Sequence, residues 1–137
     1  LLYVSKAVIA GMIERGKGHI VNISSVAGKQ TYANGAVYCA SKKAVEAISE
    51  GMRLDLTQHG IKIPNIAPGA VETEFSLVRF KGDESRAAKV YEGFDPLRAE
   101  DIADTILYAV NAPAHVTIAD VTIYAAAQAA PTTGYRK

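Results

Sequence analysis

The chain has 137 residues, 49% of them hydrophobic and 21% charged, with a formal net charge of +1. That length supports a single hydrophobic core, and the near-neutral balance excludes the broad basic field of a nucleic-acid binder. No apolar run reaches the ~18 residues that a membrane span needs, and one cysteine, Cys39, allows no intrachain disulfide, which points to a reducing, cytoplasmic setting.

The first predicted element is already under way at residue 1. Leu1, Val4, Val8 and Met12 share one helical stripe, with Leu2 and Ile9 beside it. No capping residue precedes them, and an uncapped, unsupported first turn holds itself poorly, so the expectation is a piece of a longer protein. The helix should stop at Gly16-Lys17-Gly18. His19 to Ser24 reads as a short buried strand, and a loop runs from Ser25 to Gly35. A second helix is expected from about Ala36 to Gln58, with Val37, Ala40, Ala44, Ile48 and Met52 as its apolar face and Lys43, Glu46, Glu50 and Arg53 as its wet face. Ile61 to Ala67 reads as another strand, although Pro64 removes a ladder donor from it.

Pro68-Gly69 opens a long polar connection that should hold short helices around Arg79 and Ala87. Pro96 to Asp101 has the pattern of a helix start, and the helix beyond it would bury Ile102, Ile106 and Val110. Ala119 to Tyr124 is the last predicted strand, followed by an Ala/Pro/Thr-rich tail expected to be loosely held. Strands alternating with helices predict an α/β fold with a parallel sheet, and three strands make half of a doubly wound one.

The chemically informative residues sit at the first strand's end and in the second helix. Ser25 follows the strand end, where open α/β sheets form their ligand crevices. Tyr38 and Lys42 lie four apart, so both project from one helical face. An ammonium beside a phenol favours the phenolate, which would bring a tyrosine toward useful acid/base range. A serine hydroxyl at the same place can hydrogen-bond a substrate oxygen. His19, His59 and His115 have no spacing that suggests a metal site, and Cys39 points away from Tyr38 around the helix, into packing.

Together, Asn22-Ile23-Ser24-Ser25-Val26-Ala27-Gly28, then Tyr38-Cys39-Ala40-Ser41-Lys42, then Asn65-Ile66-Ala67-Pro68-Gly69 resemble the classical short-chain dehydrogenases/reductases. The resemblance covers essentially the whole chain and aligns it with the C-terminal half of that Rossmann-type doubly wound fold, so residues 1–137 would be the catalytic half of one dinucleotide-binding domain. It implies that Ser25 polarises the substrate oxygen, that Tyr38 gives or takes the proton, and that Lys42 lowers the tyrosine pKa and bonds the nicotinamide ribose. It also implies that Pro68, Gly69, Val71 and Thr73 line the nicotinamide, with the Val71 backbone at the carboxamide and the Thr73 hydroxyl near the pyrophosphate.

The segments Thr73 to Asp83 and Asn111 to Val116 are similar, more narrowly, to the NADP-dependent 3-hydroxy acid (serine, allo-threonine) dehydrogenase group. That implies a small 3-hydroxy acid as substrate, NADP as cofactor with NAD as the alternative, and Arg79 and Lys81 as candidate carboxylate attractors beside the reading of both as solvated surface charges. The family's Gly-rich pyrophosphate turn has no counterpart here, so this chain alone is expected to be inactive. In the family the first two helices pack between subunits, which implies a homodimer or homotetramer. Two other readings share these residues: epimerisation or dehydration by the same Ser-Tyr-Lys set, and a non-catalytic assembly module.

Overall fold

A computed structural model describes all residues from Leu1 to Lys137. Helix α1 spans Leu2–Arg15 and closes on Gly16, whose left-handed backbone (φ 65°) lets the cap N–H reach back into the last turn. Strands β1 (Gly18–His19) and β2 (Asn22–Ile23) follow, then a four-residue helix α2 (Val26–Lys29), the long helix α3 (Ala36–Leu56) and a 3₁₀ turn over Thr57–His59. Strands β3 (Ile61–Lys62) and β4 (Asn65–Pro68) lead to helices α4 (Phe75–Arg79), α5 (Glu84–Tyr91) and α6 (Ala99–Val110). Strand β5 (Asp120–Ile123) and a hairpin of β6 (Gln128–Ala130) and β7 (Thr133–Gly134) complete the chain. No helix is long and apolar enough to cross a membrane.

The sheet is parallel, as expected. β2 pairs with β4, and β4 with β5, while β1 pairs with β3 in the same register offset as β2 with β4. Each of the first two predicted strands is therefore one extended run interrupted at its centre. The reason is Pro64. In this register, residue 64 would donate to the carbonyl of Ile20, and proline has no N–H to give. The flanking bonds survive: Ile20 N–H donates to Lys62 at 3.0 Å, Asn22 to Pro64 at 2.9 Å and Ser24 to Ile66 at 2.8 Å. Pro64 thus costs a bond and leaves the register intact.

The buried centre is small. Leu56, Ile61 and Ile63 form it, with Ile9 and Met12 from α1, Ile20, and Met52 from α3 packed against them. Helix α3 is rotated from its expected orientation. Val37 is 85% exposed, and Ala40, Ala44 and Ala47 face outward, whereas Cys39, Ser49 and Leu56 are buried, the Glu46 side chain is nearly so, and Lys42 and Arg53 are half-buried. Polar partners on the sheet side account for the difference. Lys42 Nζ donates to the Ile23 carbonyl at 3.2 Å, and Asn22 Nδ2 donates to Ser49 Oγ at 2.8 Å. Arg53 Nη1 donates to the carbonyls of Ile63 and Ala119 at 2.9 and 3.0 Å. Buried polar groups are tolerated when paired, so the helix turns this polar stripe inward.

The predicted stripe of α1 divides: Met12 and the neighbouring Ile9 pack inward, while Leu1, Val4 (69% exposed) and Val8 lie outside. The C-terminal tail also differs from expectation. It is tied down: the Tyr135 N–H donates to Ala127 and that of Lys137 to Gly93, while the Arg136 guanidinium donates to the carbonyls of Lys89, Val90 and Glu92 at the end of α5.

Candidate active site

A cavity of about 320 Å³ opens where β2 and β4 end, walled on its far side by α4, α5 and the β6 hairpin. Parallel strands end their ladders there, which leaves a crevice that loops and helix ends must line. Ser25, Tyr38, Lys42, Pro68, Gly69, Val71 and Thr73 all line it. Residues up to 48 positions apart in sequence are thus brought to one wall system.

Ser25 is fixed by being the N-cap of α2: its Oγ accepts from the Ala27 N–H at 3.1 Å and donates to the Pro68 carbonyl at 3.3 Å. Gly28 sets the depth of that turn, since a Cβ there would stand 2.9 Å from the carbonyl carbon and oxygen of Lys42. Tyr38 and Lys42 project from α3 into the cavity, with the Lys42 ammonium 5.9 Å from the Tyr38 ring centre. Phe75 packs against the same ring at 5.9 Å, and the Arg79 guanidinium lies 5.8 Å from it.

The electrostatics depart from the expected lowering of the tyrosine. Burial pushes the Tyr38 phenol above its ordinary value, aided by Tyr32 and Cys39, and this outweighs the opposing pull of the Ser25 hydroxyl and Arg79. Lys42 is pushed below its ordinary value by burial. Its ammonium is committed to the Ile23 carbonyl, and it stands beside the Tyr38 ring without hydrogen-bonding the phenol.

Several lining residues carried no signal in the sequence. Tyr91 donates its hydroxyl to the Val71 carbonyl at 2.9 Å and shares a 2.8 Å hydrogen bond with Ser76, so α4 and α5 are pinned to the Pro68–Thr73 segment. Gln128 Oε1 accepts from the Ala70 N–H at 2.8 Å and occupies the space that a Gly69 Cβ would need. Arg79 lines the cavity, while Lys81 does not and stays at the surface. The Val71 N–H makes no hydrogen bond within the chain, which leaves a donor free in the cavity wall.

Residues 1–83 match the family model of the short chain dehydrogenases. The chain belongs to that family. Among curated relatives, an NADP-dependent 3-hydroxy acid dehydrogenase of Salmonella typhi is 46% identical over 119 residues, which are 86% of this chain and 48% of the relative. The NADP-dependent 3-hydroxy acid dehydrogenase of Schizosaccharomyces pombe is 38% identical over 137 residues, covering all of this chain and 53% of its own length. The solved closed form of a serine dehydrogenase complexed with NADP+ superposes with a TM-score of 0.92 at 39% identity, over 99% of this chain and 55% of that one. This chain therefore spans about half the length of the relatives it matches. The fold is the corresponding part of a Rossmann-type doubly wound sheet.

Proposed function

We propose that this chain supplies the catalytic half of a cytoplasmic NADP-dependent oxidoreductase that interconverts a small 3-hydroxy acid and its carbonyl counterpart. The observation that carries the reading is the meeting of Ser25, Tyr38 and Lys42 at one cavity whose opposite wall holds Arg79. NADP, when bound, supplies or accepts the hydride; the relatives' names favour it over NAD. The wall formed by Pro68, Gly69, Val71 and Thr73 fits a nicotinamide: it is mainly apolar, and its free Val71 N–H suits a carboxamide oxygen.

In this reading the Ser25 hydroxyl turns from its long 3.3 Å bond with the Pro68 carbonyl to donate to the substrate oxygen, and orients it toward Tyr38. Tyr38 donates its proton to that oxygen when a carbonyl is reduced and takes the proton back when the alcohol is oxidised. Lys42 sets a positive charge behind the phenol and is the group available to a ribose hydroxyl. Arg79, within reach of the same cavity, holds the substrate carboxylate. Phe75 and the β6 hairpin keep water from the reacting carbon.

The test is steady-state turnover by the natural polypeptide containing this chain, with a 3-hydroxy acid, its 2-hydroxy isomer and its methyl ester. The 3-hydroxy acid should be preferred, with NADP over NAD. Arg79→Met should raise KM for the acid roughly 10- to 100-fold, the worth of a charge-assisted hydrogen bond, and leave KM for the ester nearly unchanged. Equal use of acid and ester by the wild type would overturn the carboxylate role.

Association through α1 and α3 belongs to the same reading. The outward stripe of Ala40, Ala44, Ala47 and Gly51 has no cover within the chain, and Leu1, Val4 and Val8 lie exposed on α1. Small residues let helices approach closely, so a homodimer or homotetramer built on these faces is expected. Ala47→Arg should convert the assembly to smaller species in sedimentation velocity, at little cost to the fold. An unchanged oligomer would count against this interface.

A further inference from the structure

A group of charges lies on the far side of α2 from the cavity, and the reaction described above makes no use of it. The Lys29 ammonium, at the last residue of α2, stands 2.8 Å from Asp120 Oδ1 and 3.2 Å from Glu46 Oε1. Asn65 Nδ2 donates to the other Asp120 oxygen at 2.8 Å, and Lys43 contacts the other Glu46 oxygen at 3.2 Å. Glu46 is nearly buried, and its Oε1 receives no hydrogen bond, so the Lys29 charge is its compensation. Lys29 thus touches three elements: its own α2, the α3 that carries Tyr38 and Lys42, and the start of β5.

We propose that Lys29 is a positioning residue: by bridging Glu46 and Asp120 it holds α2 in place against α3, and so fixes the Ser25 hydroxyl relative to the Tyr38 phenol. The inference rests on the catalytic reading of those two residues. A helix of one turn has no stability of its own, so α2 lies where its contacts hold it. Ser25 caps one end of that turn and Lys29 ends the other. Between them, Gly28 lies against the Lys42 carbonyl with no side chain to lock it. Loss of the bridge frees one end of a four-residue turn whose other end carries the Ser25 hydroxyl, leaving only the packing of Val26 and Ala27 to place it. Burial alone would lower the Lys29 ammonium, but its contacts with Asp120 and Glu46 outweigh burial and hold it above the ordinary value, so it stays charged through the working range.

The experiment uses Lys29→Met, Lys29→Arg and Glu46→Gln in the natural polypeptide containing this chain. Lys29→Met should lower kcat roughly 10- to 100-fold, the cost of slight misplacement of a reacting group, with KM nearly unchanged. The Tyr38 phenol, followed by difference absorbance against a Tyr38→Phe background, should titrate at higher pH, because the Ser25 hydroxyl no longer steadies the phenolate. The other groups facing that phenol are Cys39 and Lys42 on α3, Tyr32 from the preceding loop and Arg79 from α4, and none is altered. Lys29→Arg should restore most of kcat, and Glu46→Gln should shift both readouts in the same direction by less. If Lys29→Met does not fold, Glu46→Gln decides: wild-type kcat and titration there overturn the proposal. Unchanged titration with reduced kcat in either variant also overturns it, since that marks a generally weakened fold. Full activity of Tyr38→Phe would sink the catalytic reading instead, and would leave a Lys29-dependent titration as support for the placement of Ser25.

Discussion

Tyr38→Phe should lower kcat by about 10²- to 10⁴-fold, the range that a positioned acid or base contributes, and change stability by less than about 1 kcal/mol. The small stability effect follows from what the ring does. It packs against Phe75 and lies near Lys42 and Arg79, and phenylalanine keeps that surface. Only the hydroxyl is lost. The pH dependence sharpens the test. Burial holds the Tyr38 phenol above its ordinary value, so near neutrality it carries its proton, the state that the proposed reduction of a carbonyl requires. Oxidation of the alcohol needs the phenolate, whose fraction rises tenfold per pH unit below the pKa. Alcohol oxidation by the wild type should therefore climb with pH through the neutral and mildly alkaline range, while carbonyl reduction stays flat there. In Tyr38→Phe the climb should be absent. Steady-state rates in both directions across pH check this, and a variant within a few-fold of wild type would remove Tyr38 from the reaction.

What was legible in the sequence was local. Tyr38 and Lys42 share a face because helical spacing requires it, and Ser25 lies at the crevice because a strand ends there. The short helices around Arg79 and Ala87 and the start of α6 were legible through polarity and capping pattern; Asp101, for example, accepts from the Arg98 N–H at 2.7 Å. The rotation of α3 was not. Its inward stripe includes Lys42, Glu46, Ser49 and Arg53, which hydrophobic patterning assigns to water. What makes burial tolerable is supplied from afar: Ile23 and Asn22 on β2, Lys29 on α2, and the carbonyls of Ile63 and Ala119. Tyr91 and Gln128 were illegible for the same reason, because each acts through one long-range bond to a backbone atom of the Ala70–Val71 segment. The tail looked loose because its anchor, Arg136, binds carbonyl groups at the end of α5 that no sequence pattern announces.

Gly28→Ala should be the most damaging single-methyl change in the site. The added carbon would stand 2.9 Å from both the carbonyl carbon and the oxygen of Lys42, and 3.1 Å from Glu46 Oε1. A flexible side chain could move aside, but the Lys42 carbonyl belongs to the interior of a 21-residue helix and is held by it. The yielding part must be α2, a single turn held by packing of Val26 and Ala27 and by its end contacts, not by a hydrogen-bonded ladder of its own. Overpacking of this kind costs about 1–3 kcal/mol, so the urea midpoint should fall accordingly. The displacement also carries Ser25, which caps the same turn, away from the Pro68 carbonyl and from Tyr38. The kcat loss should be roughly 10- to 100-fold, although no reacting atom has been altered. Gly51→Ala separates this steric effect from the general consequence of replacing glycine in α3 or its neighbours. A Cβ at Gly51 meets nothing within 4 Å in this chain, so alanine there, compared in the Ala47→Arg background that opens the α3 contact, should stabilise the helix by about 0.5–1 kcal/mol. Equal stabilisation by both alanines would mean that α2 does not lie as close to Lys42 as the structure has it. A fall at Gly28 beside a rise at Gly51 locates the constraint at the contact between the serine-bearing turn and the helix of the tyrosine and lysine.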